Sequence, residues 1–118
     1  MPRRGDIVLA RFPFSDGSGT KLRPVLILAE VPGPFRDYVV LFISSQLSHA
    51  SGEFDLVLDR SHAAFQRSGL KVSSVFRIAK IATLSDALLV GTLGQLDDIF
   101  FGEVVRRLVH LIETGQTS

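Results

Sequence analysis

Short apolar runs rich in β-branched residues constrain the fold of this chain more than any other feature. Each run is only a few residues long and ends in a cluster of turn-forming Gly, Ser, Pro or Asp. Strands are predicted at Ile7–Phe12, Pro24–Leu28, Tyr38–Ile43, Phe54–Leu58, Ser74–Ile78 and Leu88–Leu93. Because no helical pattern alternates with these runs, the spacing favours an antiparallel sheet or a small barrel over a parallel sheet.

The last part of the chain has a different period. Apolar residues recur there at the spacing of one helix face, at Val104, Val105, Leu108, Leu111 and Ile112. Asp97 or Asp98 can cap the N-terminus of this helix. We therefore expect a single, mainly β domain over residues 1–118, with strands over about 5–94 and a C-terminal helix over about 97–113. Segments 61–66 and 80–84 fit a strand or a short helix equally well.

Composition excludes several classes of protein. With 118 residues, 46% of them hydrophobic, the chain can bury a core without disulfides or metals. The absence of Cys rules out thiol nucleophiles, iron–sulfur clusters and cysteine-ligated zinc. The apolar segment 7–10 is too short for a signal peptide, and no stretch approaches the roughly 20 apolar residues of a membrane span. We expect a cytoplasmic protein with no membrane partner.

The net charge of +1 hides an uneven distribution of charged residues. Residues 1–36 carry +3, residues 37–59 carry −4, residues 60–80 carry +5 and residues 81–118 carry −3. Ten of the 13 basic residues are arginines, whose planar guanidinium group suits the recognition of phosphate. The two basic blocks are compatible with an anionic ligand or with solvated loops.

Arg23 and Ser44 are the strongest candidates for a binding site. Arg23 stands at the entry of a predicted buried strand, and Ser44 directly follows the next strand. If these strands are neighbours, a guanidinium and a hydroxyl converge where a phosphate group can bind. The alternatives are an ion pair of Arg23 with Asp16 or Glu30, and an ordinary turn at Ser44.

Other motifs offer less chemistry. His49, His62 and His110 have no metal-binding spacing, and surface or capping roles are favoured over a pair of acid–base histidines. No G-x-S-x-G motif is present, and no G-K-[ST] follows Gly17 and Gly19, which argues against a serine hydrolase and a nucleotide hydrolase.

Taken together, several segments resemble the MazF/PemK toxin family. They occur in the family's order across nearly the whole chain: Gly5–Ala10, Phe12–Phe14, Lys21–Leu28, Ile43–Gln46, Gly69–Leu70, Ser73–Val75 and Leu93–Leu96. The resemblance implies an SH3-like antiparallel barrel with a C-terminal helix, assembled as a homodimer. It also implies the toxin of a type II toxin–antitoxin pair, an endoribonuclease that cleaves single-stranded RNA without a metal or other cofactor and is bound by a cognate antitoxin.

The resemblance also assigns roles to individual residues. The family's catalytic arginine corresponds to Arg23, and its hydroxyl partner to Ser44, where relatives usually carry Thr. In this interpretation Arg23 stabilises charge on the phosphate while the RNA's own 2′-OH attacks it, and the general base stays unassigned because arginine is a poor base. We expect further RNA contacts from Phe14, Ser18, Lys21, Ser45 and Gln46.

Two other functions stay open for a chain of this kind. One is a toxin of the same fold that poisons DNA gyrase, as the related CcdB proteins do, and the other is a catalytically inactive SH3-like binding module. An RNA cleavage assay with an Arg23 variant as control separates all three.

Overall fold

A computed structural model describes residues 2–13, 20–51 and 54–116 of the chain. Its strands are β1 (Asp6–Pro13), β2 (Thr20–Val31), β3 (Asp37–Ser44), β4 (Leu56–Leu58), β5 (Ser74–Ser85) and β6 (Leu89–Gln95). Its helices are the single-turn α1 (Phe65–Ser68) and the long α2 (Asp98–Thr114). Short 3₁₀ turns occupy Leu47–His49 and Asp86–Leu88.

The six strands form one antiparallel sheet in the order β4-β5-β3-β2-β1-β6. The prediction of a mainly β chain with a C-terminal helix is confirmed. The sheet is open rather than closed into a barrel, because β4 has three residues and pairs with β5 alone within the described ranges.

Several element boundaries differ from those that local sequence patterns predict. β2 extends the apolar run at both ends, and β5 continues to Ser85, so the ambiguous segment 80–84 is strand. The other ambiguous segment contains the start of α1. β4 begins only at Leu56, and the carboxylate of the preceding Asp55 accepts hydrogen bonds from backbone N–H groups.

Alternation along the strands gives the sheet two apolar faces. The larger face packs against α2, where Phe100, Phe101 and Val104 are buried against strand residues such as Leu26 and Phe76. The second face carries a smaller cluster formed by Val8, Ala10, Val25, Ile27, Tyr38, Val40 and Leu84. By the same alternation, Arg23 and Ser44 lie at the end of the second face, away from α2.

Two contacts hold the helical parts in place. The Asp97 side chain accepts a hydrogen bond of 2.7 Å from the N–H of Phe100, so Asp97 is the cap of α2. Gly69 follows α1 with a φ of 73°, and a Cβ there would come within 2.1 Å of the Leu93 carbonyl oxygen. A Cβ on Gly94 would meet the Arg67 carbonyl at 2.2 Å, so two backbones touch where only glycine fits.

No helix in the described part of the chain is long and apolar enough to cross a membrane.

Candidate active site

The paired ladder of β2 and β3 ends two residues before Arg23 and Ser44. The ladder pairs Leu26 with Leu41 and Val25 with Phe42. Continued toward the start of β2, the same register sets Arg23 across from Ser44. Directly opposite positions in an antiparallel pair have Cβ atoms about 5 Å apart, a gap that one phosphate group can bridge. The two strands are neighbours in the sheet, which is the condition that the sequence left open.

The Ser44 hydroxyl is held by the turn that follows β3. Its oxygen accepts a hydrogen bond of 3.0 Å from the N–H of Gln46. It also lies 2.8 Å from Nδ1 of His49, five residues along the chain. The 3₁₀ turn Leu47–His49 folds the chain back so that the imidazole reaches the end of the strand. Ser44 is thus a half-buried hydroxyl between a backbone donor and an imidazole ring.

Arg23 is exposed and forms no hydrogen bond or ion pair within the described residues. The alternative ion pair with Glu30 does not form, and Asp16 lies outside the described residues. On its other side Arg23 is paired in register with Ala10, whose small side chain is fully buried. An unpaired guanidinium beside a small residue keeps its donors available to a ligand.

An aromatic pair crosses β2 next to Arg23. Phe12 on β1 and Phe42 on β3 are partly buried on the same face, with ring centroids 5.0 Å apart and planes at 67°. Phe12 pairs in register with Lys21, and Phe42 with Val25, the residues on either side of Arg23 on this face. This edge-to-face contact places an apolar surface on the face of the sheet that carries Arg23.

The structure describes three of the five other predicted RNA contacts. Lys21, Ser45 and Gln46 are all exposed, Lys21 next to Arg23 along its face of β2 and the other two directly after Ser44. Phe14 and Ser18 lie outside the described residues.

The remaining histidines take structural or surface positions. His62 accepts a hydrogen bond of 2.9 Å from the N–H of Ala64, and its ring packs edge-on against Phe100 at 5.7 Å. His110 is exposed on α2. His49 is the functional candidate that sequence reasoning missed. Its only sequence signal is its place five residues after a strand-ending serine, and no motif marks that spacing. No group of three His, Asp or Glu side chains that could hold a metal ion occurs in the described ranges.

Asp55, the residue directly before β4 at the end of the loop that follows β3, is buried and hydrogen-bonded. The Asp55 carboxylate accepts hydrogen bonds from the N–H groups of Ser51 at 3.0 Å and Ile78 at 2.9 Å, and it lies 3.8 Å from Nε of Arg77. Arg107 on α2 donates to the carbonyl oxygens of Phe54 at 2.9 Å and Asp55 at 3.3 Å. These contacts tie the end of the loop to the core and to the helix.

Three comparisons with known proteins bear on this arrangement. The family model described as "PemK-like, MazF-like toxin of type II toxin-antitoxin system" matches residues 3–112. No curated protein sequence matches the chain. Among solved structures, the Mycobacterium tuberculosis toxin MazF-mt6 is similar with a TM-score of 0.67 and 20% identity, covering 92% of this chain and 96% of that one. A mycobacterial endoribonuclease in complex with its cognate antitoxin has a TM-score of 0.65 and 18% identity, covering 97% of both chains.

Proposed function

The chain belongs to the PemK-like, MazF-like toxins of type II toxin–antitoxin systems, and from this premise we propose that it is an endoribonuclease that cleaves single-stranded RNA. One observation of its own carries the proposal. Arg23 is exposed with no partner among the described residues, and the register of β2 and β3, extended two residues past its last pair, faces it toward the Ser44 hydroxyl. This pair matches the chemistry that a phosphodiester requires, namely positive charge and a hydrogen-bond donor.

The reaction we propose uses the nucleophile within the substrate. The 2′-OH of one nucleotide attacks the adjacent phosphorus and the 5′-oxygen leaves, so the products end in a 2′,3′-cyclic phosphate and a 5′-hydroxyl. Negative charge grows on the non-bridging oxygens, where the Arg23 guanidinium stabilises it and Ser44 donates a hydrogen bond. Because the attacking oxygen belongs to the RNA, the mechanism calls for no metal-bound water and no cofactor.

Recognition of RNA would rest on groups around this gap. Unstacked bases bind well to aromatic surfaces, and the Phe12–Phe42 pair borders the proposed phosphate position. Lys21 suits a neighbouring phosphate, while Ser45 and Gln46 can bond base edges. Phe14 and Ser18 complete the proposed set of RNA contacts.

The proposed partners follow from the family and from charge. A relative of similar structure is described as bound to its cognate antitoxin, and we propose that this chain has one too. We expect its antitoxin to lay an acidic, partly disordered segment across the surface that carries Arg23 and Lys21, competing with RNA for Arg23. The homodimer and the cytoplasmic location remain predictions. Sedimentation of the purified chain tests whether it is a homodimer. Simultaneous binding of RNA and antitoxin would contradict the proposed competition between them.

Incubation with a mixed RNA pool in the presence of EDTA tests the proposed activity. We expect cuts at a short recurring sequence, with cyclic phosphate at one new end and hydroxyl at the other. Arg23→Ala should abolish these cuts, whereas Arg11→Ala, an exposed arginine on the neighbouring strand, should not. Intact RNA with the wild-type protein, or equal cleavage by the Arg23 variant, would contradict the proposal.

A further inference from the structure

The contact between His49 and Ser44 supplies a group that the proposed reaction lacks. We infer that His49 is the proton acceptor for the attacking 2′-OH, acting through the Ser44 hydroxyl. This inference rests on the proposed ribonuclease function. It converts Ser44 from a simple donor into a relay and assigns the general base that Arg23 cannot supply.

The hydrogen bonds of Ser44 favour a relay over a static contact. The N–H of Gln46 already donates to the hydroxyl oxygen at 3.0 Å, which fixes the position of that oxygen. In the tautomer of His49 with its proton on Nε2, the Ser44 O–H donates to Nδ1 across 2.8 Å. One lone pair of the hydroxyl oxygen then remains to accept a proton from a 2′-OH.

The imidazole is not required to close the turn on which it lies. Backbone hydrogen bonds from the N–H of His49 to the Gln46 carbonyl, at 2.9 Å, and from Ala50 to Leu47, at 3.1 Å, already form the 3₁₀ turn. The loop is anchored farther on by Ser51 and Asp55. The exposed His49 ring therefore has a side-chain hydrogen bond that the local fold does not need.

The charged groups on the neighbouring elements are cations or are already engaged. On β5 the nearest is Arg77, two positions beyond the Val75 that pairs with Ser44, and its Nε lies 3.8 Å from the Asp55 carboxylate. Asp55 bonds two backbone N–H groups. On β2 the nearest is Arg23, which has no partner among the described residues. Neither carboxylate oxygen of Asp55 bonds His49 in the described part of the chain, which leaves the ring free to exchange a proton with Ser44.

In the proposed step, the proton of the attacking hydroxyl moves through Ser44 to His49. The O2′–P bond forms and the P–O5′ bond breaks. The 2′-OH proton passes to Oγ of Ser44 as the Ser44 proton passes to Nδ1 of His49, and the leaving 5′-oxygen takes a proton from water. His49 then returns its proton to solvent, so the cleavage neither consumes nor releases protons overall.

Two substitutions of His49 separate proton transfer from positioning. His49→Asn offers a side-chain amide near the position of Nδ1 but cannot take up a proton, and His49→Ala removes the contact altogether. Loss of a general base lowers a rate by about 100- to 10,000-fold, and we expect kcat to fall within this range for both variants, with KM nearly unchanged. His110→Asn, at an exposed site on α2, is the matched control and should keep the wild-type rate.

The pH profile of kcat decides between the two roles. A proton acceptor works only in its unprotonated form, so the wild-type rate should fall toward acidic pH if His49 is the acceptor. This acidic limb should be absent from the low residual rate of His49→Asn. A full rate in His49→Asn, or a residual rate that keeps the acidic limb, would overturn the inference.

Failure of this inference and failure of the proposed function give different results. If the wild-type protein leaves RNA intact, the ribonuclease proposal itself fails. If the wild-type and His110→Asn proteins cleave RNA and both His49 variants cleave it equally well, only the role of His49 is wrong. Circular dichroism of each variant confirms that a lost rate reflects chemistry, because a substitution at an exposed turn position should leave the spectrum and the melting temperature unchanged.

Discussion

Arg107 and Arg23 carry the same charge and have opposite surroundings. The Arg107 guanidinium is shared between the Glu103 carboxylate, at 2.8 Å, and the backbone carbonyls of Phe54 and Asp55. Arg23 is exposed and bonds nothing in the described part of the chain. The bonded arginine has its donors used by the fold, whereas the unbonded one keeps its donors for a ligand. Arg107 therefore stabilises the fold, whereas Arg23 is exposed on it and can bind a ligand.

The two sides of the loop after β3 repeat this contrast. Where the loop returns to the sheet, the Asp55 carboxylate is buried and bonds the N–H groups of Ser51 and Ile78. Where the loop starts, the Ser44 hydroxyl contacts the exposed His49 ring at the end of β3. The hydrogen bonds of Asp55 anchor the end of the loop, so the fold does not depend on the Ser44–His49 contact to hold it.

The largest difference should come from the exposed arginine. Removal of one donor that stabilises transition-state charge costs about 100- to 1,000-fold in rate, and we expect at least this loss of RNA cleavage in Arg23→Ala. The free energy of unfolding should stay within about 0.5 kcal/mol of wild type, as is usual for a surface substitution. Paired kinetic and urea-unfolding measurements check both expectations. If Arg23→Ala lowered the free energy of unfolding by several kcal/mol, Arg23 would support the fold as Arg107 does, which would contradict the account.

The buried carboxylate should show the reverse pattern. Asp55→Ala leaves the N–H groups of Ser51 and Ile78 without acceptors, and we expect the free energy of unfolding to fall by about 3 kcal/mol. Asp55→Asn keeps one carbonyl oxygen and should lose less. Urea unfolding of the two variants measures the difference. Wild-type stability in the alanine variant would show that water replaces the carboxylate.

A smaller loss of stability is expected at the bonded arginine. Arg107→Met removes the hydrogen bonds to the segment before β4 and should cost about 2 kcal/mol. Arg106→Met is its control, because Arg106 is exposed and its ion pair with Glu103 lies at the surface, where such pairs contribute about 0–1 kcal/mol. Thermal unfolding compares the two variants. Equal melting temperatures would mean that Arg107 does not anchor the loop.

The smallest effect concerns the exposed turn at Asp59. Hydrogen bonds from the Ser61 side chain and backbone, then from the Ser73 hydroxyl, lower the pKa of Asp59 below its ordinary 3.8. Because folding lowers this pKa, the charged Asp59 carboxylate stabilises the folded state at pH values above the unfolded-state pKa. That stabilisation is lost as pH falls through the folded-state pKa. Asp59→Asn should therefore lose less stability than wild type on acidification below about pH 4. Parallel acid-unfolding curves would contradict this prediction.

Much of the sheet could be predicted from local patterns, and the contacts across it could not. Short β-branched runs mark the strands because apolar side chains must be buried, and the helix period marks α2 in the same way. An approach of Arg23 to Ser44 depended on the pairing of their strands, which the sequence left open and the sheet supplies.

Other features depend on contacts that no local pattern encodes. His49 reaches Ser44 only because a 3₁₀ turn reverses the chain, and Arg107 reaches Asp55 from a helix far along the sequence. The open sheet likewise depends on its end strands β4 and β6, which do not pair with each other in the described part of the chain.

The most direct test of the central claim uses the mapped cleavage site itself. An RNA oligonucleotide containing that site is compared with one in which a single 2′-OH, on the nucleotide just before the cut, is replaced by hydrogen. Because the proposed nucleophile is that hydroxyl, cleavage at the substituted position should be undetectable, while binding should be retained. Cleavage of both oligonucleotides at the same rate would show that the Arg23 and Ser44 site acts by another reaction.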